Sequence, residues 1–318
     1  MARPKQEEDP RLLTKVSKLY YEEGLNQDEI MTRLQLSRSK VSRLLKRARD
    51  RGIVKITVVP PPGLFPDLEA ELEERYHLKE AVVVEVRDPQ SQPLVSRELG
   101  IAAANYLIRT LQDNDVIGVS WGTTLSHMVA ALEPRPANGV HVVQIIGGLG
   151  PSESEVHATD LCRRLAQLLQ CRLTLLPAPG IVDHGEVKEI ILSDSHVRHC
   201  FELFSRITVA YVGVGAPTPD SVIMRDGSII TQEELDALLQ KGAVGDIALR
   251  FFDAFGRPVL SELDERVIGI SLEELRQIKR VVGVAGGPKK VEVLRGALRG
   301  GLINVLITDH VTAYQLVR

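Results

Sequence analysis

Eight short apolar runs recur between residues 81 and 308, and they restrict the fold of this part of the chain more than any other feature. The runs are rich in Val, Ile and Leu, and they cover residues 81–86, 115–120, 140–146, 172–177, 207–215, 246–252, 280–285 and 303–308. Nearly continuous hydrophobicity is typical of parallel strands buried on both faces. Segments with helical periodicity separate most of the runs, at residues 94–111, 154–169, 232–240 and 289–299. The pattern predicts an α/β fold with a doubly wound, mostly parallel sheet.

The first sixty residues have a different pattern, that of three short helices. Residues 11–23 form one predicted helix, which Gly24 would end. Residues 27–34 form the second, with Asn26 and Glu29 as a capping box, and residues 38–50 form the third, with Ser37 as N-cap. In the third helix one apolar stripe faces a core, and the opposite face is basic. The stripe contains Val41, Leu44, Leu45 and Ala48, and the basic face contains Arg38, Lys40, Arg43, Lys46, Arg47 and Arg49.

The position of the positive charge in the third helix indicates an anionic partner. Arg38 and Lys40 lie in the first turn, where the helix dipole disfavours cations, and an external anion would remove this conflict. Thirteen helical residues span roughly 20 Å, a length that fits the major groove of DNA. Two short helices joined by a turn at residues 35–37 are typical of a helix-turn-helix, and the extended sequence 52–59 resembles a wing strand.

A basic amphipathic helix alone also fits a solvated surface, a membrane-surface helix or a calmodulin target. The paired short helix and its turn favour DNA. We therefore predict double-stranded DNA as a partner of this segment. The predicted contacts are Gln27, Ser37, Arg38, Ser39, Lys40, Ser42, Arg43, Lys46 and Arg47.

Charge and composition divide the chain after residue 59. Residues 1–59 contain 14 Lys and Arg against 8 Asp and Glu, whereas the rest contains 25 against 34. A phosphate backbone would be attracted to the first part and repelled by the second. Residues 60–63, three prolines and a glycine, form a stiff spacer, and a charged helix over residues 64–77 follows. We predict a helix-turn-helix DNA-binding domain over residues 1–59 and a second, larger domain over residues 60–318.

Other general features predict a cytoplasmic protein without a cofactor or metal. No apolar run approaches the roughly 18 residues of a membrane span, and the N-terminal sequence does not resemble a signal peptide. Cys162, Cys171 and Cys200 are too few and too irregularly spaced for a disulfide framework or a zinc site. His196 and His199 share a helix face but have no nearby third ligand, so we interpret them as surface or packing residues.

Three glycine-containing loops follow predicted strands and form the candidate ligand site. Gly122, Thr123 and Thr124 follow the second run and open a helix, residues 147–150 follow the third, and residues 286–290 follow the seventh. Each loop alone fits a tight turn equally well. Three at one sheet edge favour a small anionic, phosphorylated ligand held by backbone N–H groups, hydroxyls and a lysine. Asp246 could accept hydrogen bonds from ligand hydroxyls, or act as a turn residue.

Two further segments carry less information. Residues 213–217 contain Gly213 and Gly215, but no helix opens directly behind them, so they do not match a dinucleotide-binding fingerprint. Asp183 and His184 follow a proline-rich loop and could lie at the rim of the pocket.

Four segments in order resemble bacterial transcriptional regulators of the SorC type. They are the helix-turn-helix sequence, the WGTTL loop at residues 121–125, the GAVGDIALRFFDAFG segment at residues 242–256, and the C-terminal sequence from residue 281. The resemblance covers almost the whole chain. It implies that residues 60–318 form an effector-binding and oligomerisation domain, which binds sugars and is similar in fold to sugar-phosphate isomerases and deaminases. It also implies a phosphorylated sugar as effector, and a homodimer or homotetramer on an operator.

The resemblance also implies roles for individual residues. Phosphate would be held by Gly122, Thr123, Thr124, Gly286, Gly287 and Lys290, and the sugar site would be lined by Gly147, Gly148 and Asp246. The chain departs from the family at Gln35, where glycine is usual in the inter-helix turn; a left-handed conformation there would cost about 1 kcal/mol.

An enzyme of the isomerase or deaminase type with an accessory DNA-binding head is the alternative function. Such an enzyme needs a positioned acid and base. The candidates are Asp246, Asp183, His184, Asp309 and His310, and the sequence does not group them, so we predict a regulator rather than an enzyme.

Overall fold

Three helices form the first unit of the chain, residues 1–60. In the computed structural model, which describes residues 9–148, 158–218, 221, 223–224 and 229–318, they are α1 (Pro10–Tyr21), α2 (Gln27–Leu34) and α3 (Arg38–Asp50). Their apolar stripes meet in one core that includes Leu13, Val16, Ile30, Val41 and Leu44. The helix-turn-helix prediction is confirmed.

Local capping explains where these helices begin and end. The Asn26 side chain accepts from the N–H groups of Asp28 and Glu29, and the Glu29 carboxylate accepts from the Asn26 N–H, which completes the predicted capping box. Gln35 ends α2 with φ 51° and ψ 44°, the left-handed conformation expected in its turn.

The predicted wing strand is not formed. Residues 53–59 have no strand conformation, and Ile56, Val58 and Val59 are largely exposed. The β-branched sequence favours an extended chain, but a strand needs a paired neighbour, and the described part of the first unit contains no other strand.

Seven parallel strands form the sheet of the second unit, residues 61–318. In chain order the strands are β1 (Glu80–Val84), β2 (Val116–Val119), β3 (His141–Gln144), β4 (Arg172–Thr174), β5 (Val209–Gly213), β8 (Arg280–Val284) and β9 (Val305–Asp309). Between β5 and β8 the chain forms a separate pair, β6 (Gly245–Ile247) and β7 (Arg250–Phe252). Their order across the sheet is β1-β9-β8-β5-β2-β3-β4. The predicted α/β class and parallel sheet are confirmed.

Helices cover both faces of this sheet. They are α4 (Pro66–Tyr76), α5 (Gln92–Thr110), α6 (Thr123–Ala130), α7 (Ala158–Leu169), α8 (Gly185–Ser193), α9 (Ser195–Phe204), α10 (Gln232–Gln240), α11 (Leu272–Gln277), α12 (Val291–Arg299) and α13 (His310–Val317). Alternate strand residues face opposite layers: Tyr211 packs with residues of α5, α6 and α7, and Val212 with residues of α4, α12 and α13. No helix in the described ranges is both long and apolar enough to cross a bilayer.

The run at residues 246–252 is not a strand of the main sheet, contrary to the prediction. It forms the antiparallel pair β6 (Gly245–Ile247) and β7 (Arg250–Phe252). Ala248 and Leu249 reverse the chain with φ values of 53° and 61°, and the Asp246 carboxylate accepts the Leu249 N–H at 3.1 Å. The aspartate side chain thus closes the turn that interrupts the apolar run.

The outer edge of β1 is covered by α4. Glu73 accepts the N–H of Ala81, and Glu69 accepts the N–H of Val83, each at 2.9 Å. These two N–H groups belong to the side of β1 that does not pair with β9. Helix α4 is also joined to α13, because the Tyr76 hydroxyl donates to the carbonyl of Leu316 at 2.8 Å.

The strand order reverses direction between β2 and β5. Strands β2, β3 and β4 extend the sheet to one side, and β5, β8 and β9 extend it to the other. In open parallel sheets the crevice at such a reversal, outside the carboxyl ends of the strands, is the usual ligand position.

Candidate functional site

The polar face of α3 is presented to solvent by the packing of its apolar face. Val41, Leu44 and Ala48 are completely buried against the rest of the first unit, and Leu45 is nearly so, which leaves the polar residues of α3 on its opposite face. Ser37 caps the helix by accepting the Lys40 N–H at 3.3 Å. Of the predicted DNA contacts, six are exposed and three are partly buried; the exposed ones are Ser37, Arg38, Ser39, Ser42, Arg43 and Lys46, and the others Gln27, Lys40 and Arg47.

One of these arginines already has an acidic neighbour. The Arg38 Nε atom lies 3.5 Å from the Asp28 carboxylate in the first turn of α2. The conflict between Arg38 and the dipole of α3 is therefore relieved in part within the protein. Both side chains are more than half exposed, so the attraction is weak and can be replaced by a phosphate.

The loop after β2 leads directly into α6. Gly122 precedes this helix with φ 131°, a backbone conformation that a residue with a side chain adopts only with strain. It makes no side-chain hydrogen bond that would cap the helix. Thr123, the first helical residue, is exposed, and Thr124 is partly buried. A helix start without a side-chain cap leaves backbone donors for an anion, and the two hydroxyls add to them.

The loop after β8 is held from within the protein. Gly287 has φ 102°, and its N–H donates to the Asp309 carboxylate at 2.7 Å and to the Thr312 hydroxyl at 2.9 Å. Gln92 donates to the carbonyl of Gly286 at 3.2 Å. The Gly287 N–H, predicted to bind phosphate, is thus engaged by Asp309, and the loop serves to place the residues that follow it.

Lys290 and Asp246 are brought together at the end of β5. The Lys290 ammonium donates to the carbonyl of Val214 at 2.8 Å, and Asp246 pairs with Gly215 through two backbone hydrogen bonds of 2.9 and 3.0 Å. Burial raises the pKa of Asp246 to about 6, although the Leu249 N–H and the charge of Lys290 act in the opposite direction. A buried carboxyl and a partly buried ammonium group therefore lie close together at the strand ends.

The residues at the end of β5 were not predicted as part of the site. Val214 accepts from Lys290, and Gly215 lies so close to Asp246 that a Cβ atom at this position would overlap the Asp246 Oδ1 atom. Asp309, which holds the Gly287 loop, was considered only as an acid or base. The sequence feature that could have identified these residues was their position at or directly after the end of a buried strand.

Gly147 and Gly148 follow β3 and lie against the chain at residues 178–180. Gly147 donates its N–H to Ile268 at 3.0 Å and Gly148 donates to Ala178 at 2.9 Å. Their N–H groups are therefore used within the protein. Residues 149–157, which include the rest of the predicted loop at residues 149–150 and the start of the helix predicted at residue 154, are outside the described residues.

The loops after β3, β2, β5 and β8 meet at one edge of the sheet, because these strands are neighbours and parallel. Gly122, Gly148, Gly215 and Gly286 therefore belong to four adjacent strand ends. We call the residues of these loops, together with Asp246 and Lys290, the strand-end site. Three of its four loops are the glycine-containing loops predicted from the sequence.

The remaining acid and base candidates lie elsewhere or have structural partners. Asp183 and His184 line a cleft of about 1040 Å³ beside α8 with Glu262, Asp264 and other residues, and this cleft shares no residue with the strand-end site. His310 accepts the Val86 N–H through Nδ1 at 3.4 Å. His196 and His199 belong to α9, and the described residues contain no group of three or more His, Cys, Asp or Glu that could hold a metal ion.

Comparisons with known proteins cover both units. The family described as “Putative sugar-binding domain” matches residues 63–318, and the family “Sigma-70, region 4” matches residues 15–51. The chain is 38% identical to the deoxyribonucleoside regulator of Bacillus subtilis, with 98% of each protein covered. It is 33% identical to the sorbitol operon regulator of Klebsiella pneumoniae, with 98% of this chain and 99% of that protein covered.

Solved structures agree with the sequence comparisons. The crystal structure of the full-length sorbitol operon regulator SorC from Klebsiella pneumoniae is similar with a TM-score of 0.74 and 33% identity, and covers 97% of this chain and 99% of that one. A sugar-binding domain of a DeoR transcriptional regulator from Pseudomonas syringae pv. tomato is similar with a TM-score of 0.63 and 37% identity over 80% of this chain and 99% of that one. The chain belongs to the SorC family of transcriptional regulators, which join a helix-turn-helix to a sugar-binding domain.

Proposed function

We propose that this protein is a DNA-binding transcriptional regulator of a carbohydrate-metabolism operon, and that a phosphorylated sugar controls its binding to the operator. The observation that carries the effector half of the proposal is the approach of Lys290 and Asp246 at the strand-end site. The ammonium group matches a phosphate, and a carboxylate matches sugar hydroxyls. Relatives that are named for a sorbitol operon and for deoxyribonucleosides support a carbohydrate effector.

In this proposal residues 1–59 form the DNA-binding domain, and α3 lies in the major groove. Ser37, Arg38 and Ser39 contact base edges or phosphates near the helix start, together with Gln27 of α2. The longer basic side chains contact mainly phosphates, and they are Lys40, Arg43, Lys46 and Arg47. Ser42 lies on the same exposed face of α3 and adds a hydroxyl donor.

Residues 60–318 form the effector-binding and oligomerisation domain in the same proposal. Phosphate is held by the start of α6, with Gly122, Thr123 and Thr124, and by Lys290 after the Gly286 and Gly287 loop. Gly147 and Gly148 shape the floor of the sugar site, and Asp246 accepts from sugar hydroxyls. No catalytic step, metal or cofactor is needed. A dimer or tetramer in the cytoplasm would place two DNA-binding heads on one operator, and the effector would change their spacing by binding one arrangement better than the other.

A thermal-shift screen of the full chain tests the effector assignment. Pentose and hexose phosphates, inorganic phosphate and the unphosphorylated sugars are compared, because a ligand that binds only the folded state raises the unfolding temperature. We expect stabilisation by a sugar phosphate, and its loss in Thr124→Ala and Lys290→Ala. Lys279→Ala is the matched control, because Lys279 is exposed and precedes β8, at the opposite end of the strand from Lys290. Equal stabilisation of all three variants would contradict the site.

A salt series tests the DNA-binding face. The duplex is first selected by the protein from a randomised pool, and its affinity is then measured at increasing salt concentrations. Arg43→Ala should weaken binding of all sequences and lower the salt slope by about 1, since one phosphate contact is lost. An unchanged affinity and slope would exclude α3 as the DNA-contacting helix.

A further inference from the structure

The strand-end site and the start of the second unit are joined by a short series of contacts through α13. Asp309 is the first member. It is completely buried at the end of β9, it caps α13 by accepting the Thr312 N–H at 2.9 Å, and its other oxygen accepts the Gly287 N–H. One carboxylate therefore holds both the loop after β8, residues 286–290, which we call the effector loop, and the first turn of α13.

The effector loop in turn places Lys290. The Lys290 N–H donates to the carbonyl of Gly287 at 2.9 Å, within the short 3-10 helix at residues 288–290. A Cβ atom on Gly286 would overlap the Asp309 Oδ2 atom, so the loop lies directly against this carboxylate. Any shift of the loop that follows phosphate binding at Lys290 must be accommodated at Asp309, because there is no space between them.

The next residue along the chain carries the contact to α4. The His310 ring is stacked on the Phe65 ring, with centroids 5.5 Å apart and an angle of 10° between the planes. Tyr314, one turn further along α13, meets Phe65 edge-on at 6.5 Å. Phe65 is the N-cap residue of α4 and follows the proline spacer at residues 60–63.

We propose that Asp309 is a positioning residue for the effector loop, and that His310 and Phe65 transmit occupancy of the strand-end site to the start of α4, where the spacer to the DNA-binding unit begins. This inference rests on the proposed function. The contiguous contacts supply a physical route, and the hydrogen bonds of Tyr76, Glu69 and Glu73 join α4 to α13 and to the edge of β1.

Two groups of variants test the two parts separately in the full chain. Trp121, the only tryptophan, directly precedes Gly122, so its fluorescence reports binding of each probe, and the probes are inorganic phosphate and a panel of pentose and hexose phosphates. Thr312→Val removes the hydroxyl that Gly287 and Asp309 share and should weaken binding of the best probe about fivefold, the equivalent of one hydrogen bond. Thr312→Ser keeps the hydroxyl and should restore the affinity. Asp309→Asn should weaken it at least as much as Thr312→Val.

Hydrogen exchange measured with and without the best probe tests the transmission. In the wild type the probe should slow exchange of the amides in both α13 and the first turn of α4. In Phe65→Ala the probe should bind with unchanged affinity and still protect α13, and the protection of α4 should be lost. Leu64→Ala is the matched control, because Leu64 is adjacent but 58% exposed, and it should behave as the wild type.

The outcomes separate this inference from the function on which it rests. Binding of a sugar phosphate with no change of exchange in α4, or with equal protection of α4 in Phe65→Ala, would overturn the transmission and leave the effector site intact. Equal affinities of Thr312→Val and Thr312→Ser would overturn the positioning role. Failure of every phosphate ester to bind the wild type would overturn the proposed effector class and this inference together.

Discussion

Arg38, the first residue of α3, lies 3.5 Å from the carboxylate of Asp28, the second residue of α2. The two helices of the helix-turn-helix are thus connected by opposite charges across their turn. Because both side chains are largely exposed, the pair adds little to folding. Its consequence concerns DNA: Asp28 competes with phosphate for the same guanidinium.

Asp28→Asn should therefore increase the affinity for operator DNA. The substitution frees Arg38 and removes a negative charge next to the phosphate backbone, and the gain is expected to reach up to about fivefold, which corresponds to about 1 kcal/mol. Titration of the selected duplex measures it. Glu22→Gln, which removes an equally exposed partner of Lys18 on α1, is the control and should leave the affinity unchanged. A weaker complex with Asp28→Asn would show that the carboxylate supports Arg38 rather than competing for it.

Gln35→Gly should stabilise the first unit by about 1 kcal/mol, because Gln35 occupies a left-handed conformation that glycine adopts without strain. Amide exchange of α3 should slow about fivefold. Arg51 also ends a helix, but with φ −91°, so Arg51→Gly should give no such gain. Equal effects of the two substitutions would mean that the conformation of Gln35 is not strained.

Gly147→Ala should destabilise the second unit by about 1 to 3 kcal/mol. A Cβ atom at this position would overlap the carbonyl oxygen of Pro179 and lie 2.6 Å from that of Ala178, and backbone atoms cannot move aside as a flexible side chain can. Gly148→Ala is the matched control, because its Cβ atom would meet no atom of the described residues within 4 Å. Urea unfolding followed by Trp121 fluorescence gives both values, and similar losses would exclude the close contact as the cause.

Asp246→Asn should change stability in a pH-dependent way. The pKa of the buried Asp246 is about 6, above its ordinary value of 3.8, so the folded state favours the protonated carboxyl. In the wild type the cost of ionisation is absent below about pH 4, develops between pH 4 and 6, and is complete above pH 6. The variant should therefore gain stability relative to the wild type as the pH rises, by up to roughly 3 kcal/mol at pH 7. Urea unfolding at pH 4 to 7 measures the difference. A constant difference, or one that falls with pH, would contradict the raised pKa.

Local sequence signals were sufficient to predict most of the helices and strands. Helices α2, α3 and α10 have their predicted bounds, because Asn26, Ser37 and Thr231 cap them through their own side chains. The parallel sheet follows from runs buried on both faces. Residues 246–252 show the limit of this reasoning: periodicity does not reveal that Asp246 closes a turn in the middle of an apolar run.

The sequence predicted the parts of the candidate site in which glycine, threonine and lysine directly follow a strand. It did not predict the contacts that these residues make with residues distant in sequence. Asp309 contacts Gly287 across 22 positions, and Lys290 contacts Val214 across 76. The sequence around Asp309 carries no motif that points to the loop, so only the tertiary arrangement of β8 and β9 brings the two together. The Arg38 and Asp28 pair was missed for a related reason, since helix dipoles alone predicted an external anion.

The glutamates of α4 have a consequence for assembly. Because Glu69 and Glu73 already satisfy the outer N–H groups of β1, a second copy cannot continue the sheet through this strand without displacing the helix. Subunits that meet on this side must do so through side chains on helical surfaces. Such contacts can slide by small distances while every backbone hydrogen bond of the sheet stays intact, as the proposed change in the spacing of two DNA-binding heads would require.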